Sequence, residues 1–247
     1  MGSRIKLQII SVSVGLLLGA SVQAEVGQEH RLRYDLGTAQ EKLVDNQGNG
    51  FEPLYGTRNV RAVLSGVFYR GGANNRYHRS NRRSNTNPLP GDGLQNLCEE
   101  GFTTAIYLYT TNYQSAPRMV TCRMNDGSTN HLQYQQLSIL SANNEQIHSV
   151  LTQILSHVRE PQRGPLYAHC WNGWHASGTI ASYALRQFCG FSAEQAVTYW
   201  NANTDGNNDS SYEGIRRKIR SFVPFNDLFL TASEKTALCP ENQTFAF

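Results

Sequence analysis

"PLYAHCWNGWHASGT" occupies residues 165–179, and its two halves ask for different backbones. Leu166-Tyr167-Ala168 is a short apolar run that passes without a turn residue into His169-Cys170, which predicts a buried strand. The remainder carries Trp171, Asn172, Gly173, Trp174, His175, Ala176, Ser177 and Gly178, and its glycines predict a loop that opens a helix. A strand that hands the chain to a helix through such a loop gathers unpaired N–H groups and the positive end of a helix dipole, so it is suited to anions. A cysteine at the start of that field is favoured as thiolate, the form that attacks electrophiles, and this makes Cys170 the candidate nucleophile.

Working outward, Thr179 to Phe188 has helical character and ends at Gly190, and Ser192 to Trp200 forms another helix with Ser192 and Gln195 as a capping box. Upstream, Ile147, Val150, Leu151, Ile154, Leu155 and Val158 recur at helical spacing behind an Asn143/Gln146 box, with Pro161 and Gly164 as the stop. "FTTAIYLYT" (102–110) reads as a buried strand, "GLQNLCEEG" (93–101) as a short helix closed by Gly101, and "AVLSGVFYRGG" (62–72) as a strand or hairpin ended by Gly71-Gly72. Strands interleaved with helices predict one α/β domain, a central mostly parallel sheet flanked by helices, with the loop between a strand and a helix. No repeat or low-complexity linker divides the 247 residues.

The chain opens with Arg4 and Lys6, an apolar run from Ile9 to Ala20, and Val22-Gln23-Ala24, the layout of a secretory signal peptide at 1–24 cleaved near Ala24. The run is too short to span a bilayer and no later one is longer, so the mature chain is expected to lack a membrane span and to be periplasmic or secreted. Residues 25–59 are polar and read as an irregular lead-in, with the main domain at 60–247. Loss of Arg4 and Lys6 lowers the formal charge from +3 to +1, a balance that points to no nucleic acid. Arg70, Arg76, His78, Arg79, Arg82 and Arg83 nevertheless crowd an acid-free stretch, either a solvated loop or a collector of anionic substrate. Of the five cysteines, Cys170 is the candidate free thiol; the other four allow three pairings, and nearness along the chain favours Cys98–Cys122 and Cys189–Cys239.

The stretch resembles the cysteine-dependent protein tyrosine and dual-specificity phosphatase superfamily, small dual-specificity type. That family's signature is His-Cys, five residues, Arg, Ser or Thr, and Gly, and His169-Cys170, Gly173, Ser177 and Gly178 fall at the matching places. "VFYRGG", "GLQNLCEEGFTTAIYL", the helix from Ile147 to Val158, "PLYAHC" and "GFSAEQAVTYW" resemble successive pieces of the type over residues 60–200. The resemblance implies a phosphoester hydrolase in which Cys170 attacks, His169 organises the loop and helps to hold the thiolate, and Ser177 assists thiolate departure or caps the following helix. It also implies a phosphorylated, anionic substrate held by residues 171–178, and no cofactor.

Two departures stand against it. The signature arginine falls on Ala176, and a planar, two-pronged guanidinium has no good substitute at an oxyanion. Losing such a clamp costs on the order of 2 to 4 kcal/mol of transition-state stabilisation. His175, when protonated, or the Arg76–Arg83 loop would have to stand in. The family's general acid also lacks a match, since between Leu108 and Cys170 the only acids are Asp126, Glu145 and Glu160. A catalytically inactive pseudophosphatase that binds an anionic ligand or a partner protein is therefore the second expectation. Trp171 and Trp174 either line a pocket for a large or aromatic ligand or simply pack. A third reading takes His169, Cys170 and His175 as soft ligands for Zn or Cu, although their spacing fits no metal motif.

Overall fold

A hairpin of Arg58–Leu64 (β1) and Phe68–Gly72 (β2) begins the sheet, and both strands are almost wholly buried, as their β-branched and aromatic residues require. The structure, a computed structural model, describes residues 29–30, 32–34, 39–43, 54, 56–73, 88–89, 91–160 and 163–240. The leader at 1–24, the basic run from Arg76 to Arg83, and Pro161 lie outside the described residues. The further strands are Thr104–Tyr107 (β3), Met119–Arg123 (β4), Thr129–Gln136 (β5) and Leu166–Cys170 (β6). They form one six-stranded sheet in the order β1-β2-β6-β3-β5-β4. The inner pairs β2–β6, β6–β3 and β3–β5 are parallel and the two outer pairs antiparallel, the α/β arrangement expected from the chain pattern.

The helices are Gly91–Glu99 (α1), Asn144–Arg159 (α2), His175–Cys189 (α3), Ala193–Ala202 (α4), Glu213–Ser221 (α5) and Ala232–Leu238 (α6). Asn143 and Gln146 form the capping box that starts α2, and Ser192 and Gln195 that of α4. Side chains of α2, α3, α4, α5 and α6 fill one face of the sheet with Leu166, Ala168 and Cys170. Leu94, Leu97 and Cys98 of α1 fill the other, with Tyr34, Leu54 and Tyr167. The strand period of two thus assigns Cys170 to the many-helix face and His169 to the α1 face.

The segment before β1 is described in part. Residues 29–30 and 32–34 are helical, Leu43 N–H donates to Val60 O at 2.9 Å, and β1 already begins at Arg58. Two disulfides close the fold, Cys98–Cys122 between α1 and β4 and Cys189–Cys239 between the ends of α3 and α6, leaving Cys170 free and buried. With partners 24 and 50 positions apart in the chain, each closure stabilises by roughly 3 to 4 kcal/mol in the chain-entropy account. Among the described residues no helix is long and apolar enough to cross a membrane.

Candidate active site

Cys170 ends β6, 5% exposed, and its Sγ donates to Ser177 Oγ at 3.5 Å. Ser177 is fully buried in the first turn of α3, and Trp174, the N-cap, supplies no side-chain capping hydrogen bond. Ser177 lies inside the helix, past the N-cap position, and its hydroxyl accepts from the Cys170 thiol. The helix starts at His175, four residues earlier than its apolar pattern suggests, so its positive end sits in the loop itself.

The loop's carbonyls are held from outside. Cys170 O lies 3.2 Å from His169 Nδ1, and Trp171 O accepts from Ala73 N–H at 2.8 Å. Gly173 O accepts from Asn59 Nδ2 at 2.8 Å and also from the Arg70 guanidinium. His175 O accepts from Thr179 Oγ1 at 2.8 Å and from Trp200 Nε1 at 3.2 Å. In a trans peptide the C=O and the next N–H point in opposite directions. The amides of Trp171, Asn172, Trp174 and Ala176 are therefore turned away from these four sets of partners.

Two glycines permit the close approach that this requires. Gly173 has φ of 75°, and a Cβ on it would stand 2.7 Å from Gly71 C and Gly72 N of β2. A Cβ on Gly178 would meet Trp200 Cδ1 at 2.9 Å, so α3 and α4 touch there.

His169 is fully buried, with Tyr107, Tyr134 and Tyr167 stacked at ring separations of 5.3, 5.6 and 5.7 Å. Tyr134 Oη accepts from Leu89 N–H at 3.0 Å, which leaves its own proton for His169 Nε2 at 2.8 Å. The imidazole proton is assigned by this network to Nδ1, where it donates to Cys170 O. Burial lowers the pKa to about 3, against a smaller opposing effect of that backbone bond, so the ring is neutral near pH 7. As a neutral ring, His169 holds the first loop peptide through Nδ1 and the carbonyl of Cys170.

Other expected residues are placed less uniformly. His175 Nε2 bonds Asn207 O at 2.8 Å and its ring stacks on Tyr212 at 3.9 Å, on the side of α4 and the segment after it. Burial holds its pKa below the usual imidazole value, against smaller opposing effects of the Asn207 carbonyl and Asp209. Trp174 Nε1 donates to Asp205 Oδ2 at 3.0 Å, and Trp171 is 42% exposed beside the loop. Asn172 Oδ1 accepts from Arg58 Nη1 at 2.9 Å. Ala176, 1% exposed, packs with the core of the many-helix face. The metal reading does not assemble: His169 and His175 have their Nε2 atoms on Tyr134 and Asn207, and no metal-binding group of three or more His, Cys, Asp or Glu is found among the described residues.

Arg70, expected among surface cations that collect substrate, is instead fully buried behind the loop. Arg58, Asn59, Arg61, Asp205 and Tyr134 carry no sequence signal as loop supports, because polar residues in strands and connections have no period that marks them. Of the three acids, Asp126 is in the β4–β5 turn and Glu160 caps the C-terminus of α2, both at the edge opposite the loop. Glu145, in the first turn of α2, is the one at the loop's edge.

The sequence matches no protein-family model and no curated protein. Among solved structures the chain is similar to P. aeruginosa TpbA, with 17% identity, 67% of this chain and 85% of that chain covered, and a TM-score of 0.43. It is also similar to Tk-PTP in its active form, with 14% identity, coverage of 67% and 98%, and a TM-score of 0.43. A third is the human tyrosine phosphatase-like serine/threonine/tyrosine-interacting protein, at 14% identity, coverage of 65% and 93%, and a TM-score of 0.40. The likeness is one of architecture.

Proposed function

We propose that residues 170–178 cradle a tetrahedral oxyanion and that the chain is a phosphoester hydrolase acting through a cysteinyl-phosphate. The supporting observation is the juxtaposition of the Cys170 sulfur, 3.5 Å from Ser177 Oγ, with a loop in which the carbonyls of Cys170, Trp171, Gly173 and His175 are held by partners outside it. The Cys170 thiolate forms an S–P bond as the P–O bond to the leaving alcohol breaks, and the alkoxide takes its proton from solvent water. Water then attacks phosphorus, the S–P bond breaks, and orthophosphate and thiolate are released, with the Ser177 hydroxyl donating to the departing sulfur. The amides of Trp171, Asn172, Trp174 and Ala176 are the groups that meet the developing charge. The substrate class is a phosphorylated molecule, and the reaction needs no cofactor.

The buried Ala176 in place of an arginine favours a second reading, a pseudophosphatase that binds an anionic ligand or a partner protein without turnover. An aryl phosphate assay on the mature, mildly reduced protein separates the two. Turnover that disappears in Cys170→Ser supports the hydrolase. An inert parent that gains turnover in Ala176→Arg, with circular dichroism unchanged, supports the second reading. Inertness throughout removes phosphoryl chemistry. We also propose that the chain works outside the reducing cytoplasm, in a periplasm or extracellular space; the leader-like residues 1–24 and the two disulfides support this.

A further inference from the structure

The loop contains no acid and no arginine, yet cations crowd its outer wall. Arg70 is 0% exposed and donates to three neutral oxygens: Gly173 O in the loop, Tyr199 Oη at 3.2 Å and Asn203 O at 3.3 Å. Arg61, 2% exposed, bonds Asn59 Oδ1 and Gln40 O, and Asn59 in turn holds Gly173 O. Arg58 reaches Asn172 Oδ1 and lies over the Trp174 ring at 5.8 Å. Its stem crosses Gly72, where a Cβ would stand 2.5 Å from Arg58 Cγ. Lys42 completes the group through Asp205, which also faces Arg61 at 3.9 Å and accepts from Trp174. Arg58 and Arg70 thus contact residues 172–174 directly, Arg61 and Lys42 approach them through Asn59 and Asp205, and among the described residues Asp205 is the one carboxylate in these pairings.

A buried guanidinium bonded only to neutral oxygens leaves much of its field uncompensated, and poorly hydrated charge acts over longer distances than charge at the surface. We infer that the missing loop arginine is replaced from behind: Arg70, with Arg58 and Arg61 beside it, supplies from β1 and β2 the positive potential that holds an oxyanion at the amides of Trp171, Asn172, Trp174 and Ala176. This rests on the cradle reading and specifies its source of charge. It makes Arg70 a positioning residue in two senses. It pins Gly173 O outward, which turns the Trp174 amide the opposite way, and it biases the site toward anions. It does not touch the ligand, so it differs from a two-pronged clamp, which would rise from the loop's own helix turn.

Because Cys170 is the lone free thiol, alkylation reports on this site alone. The test compares alkylation by anionic iodoacetate and neutral iodoacetamide, with and without orthophosphate, in the mature disulfide-intact protein. The parent is expected to favour iodoacetate and to be protected by orthophosphate. Arg70→Met should lower the iodoacetate to iodoacetamide rate ratio about tenfold and weaken orthophosphate protection by a similar factor. Arg70→Lys, which keeps the charge and loses the fork, should keep the ratio within about twofold while losing part of the protection. Simple loosening of the loop would speed both reagents alike and leave their ratio unmoved. If Arg70→Met does not fold, Arg58→Gln decides, with an expected loss of about threefold in the ratio. A protected parent whose folded variants keep the parent ratio and protection overturns the inference and leaves the cradle standing. A parent with neither protection nor anion preference overturns both.

Discussion

The Tyr134 hydroxyl stands 2.8 Å from His169 Nε2, and this contact couples the strand beside the site to the first peptide of the loop. Through it Leu89 N–H, Tyr134, His169 and Cys170 O form one chain of hydrogen bonds. Tyr134→Phe keeps the stacked ring and removes only the oxygen, leaving two buried groups, Leu89 N–H and His169 Nε2, without it. Stability should fall by about 1 to 3 kcal/mol, measured by urea unfolding. The His169 tautomer should become mixed, read from its ring 15N shifts; a single unchanged tautomer would contradict the assigned direction of the chain.

Two buried neutral histidines set an acid limit on the fold. His157 bonds Gly164 O through Nδ1 and Thr104 Oγ1 through Nε2, and burial lowers its pKa to about 4. His169 is lowered to about 3 for the same reason. Each binds a proton less readily in the folded chain than in the unfolded one, whose imidazoles titrate near 6.5. Stability from this source is therefore complete above pH 6.5 and drains away as pH falls toward 4 for His157 and toward 3 for His169. The loss from His157 is on the order of 3 kcal/mol once complete. Urea unfolding between pH 7 and 4 should show His157→Gln with a pH slope smaller by about one proton; an unchanged slope would mean that another group sets the limit.

What the sequence makes legible is governed by periodicity and by shape. The apolar repeat of α2, its capping box and the strand leading to Cys170 are local patterns, and each forms where it is expected. β4 and β5 lack such a pattern: Met119–Arg123 and Thr129–Gln136 form an edge hairpin in which mainly Cys122, Leu132 and Tyr134 are buried, too few to make a visible stripe. Within the site, Cys170 and the glycines are readable because a loop opening a helix needs them. Arg70 and Asp205 are not, because they act across 103 and 31 residues of chain on Gly173 and Trp174. Net charge fails for a related reason. It counts Arg70 as surface, while the fold buries it.

Gly173 is the position where backbone freedom and close packing coincide. Its φ of 75° already penalises a side chain, and the β2 backbone at 2.7 Å leaves no room for one. Gly173→Ala should cost about 2 kcal/mol or more and displace the carbonyl that Arg70 and Asn59 hold. Protection of Cys170 by orthophosphate should disappear in the same variant even at temperatures where it stays folded. Gly190→Ala is the matched comparison, with a similar φ of 72° and open space around its Cβ, so it should lose stability but keep protection.

Asp205 separates stability from anion binding. Burial raises its carboxyl pKa, but hydrogen bonds from Lys42 and Trp174 and the charges of Lys42 and Arg61 outweigh this and hold it below the ordinary range. In return it is the carboxylate facing Arg61, whose own pKa is lowered to about 9 by burial and by Arg70. Asp205→Asn retains an oxygen to accept from Trp174 Nε1 and deletes only the negative charge. Arg61 and Lys42 then lose their counter-ion, and unfolding free energy should fall by about 1 to 3 kcal/mol. The same deletion raises the net positive charge around the loop, so orthophosphate should bind several-fold more tightly, and more so at low ionic strength. Denaturation and orthophosphate titration on one sample give both numbers. A variant that loses stability and orthophosphate affinity together would show that Asp205 shapes the loop mechanically, with no part in balancing its charge.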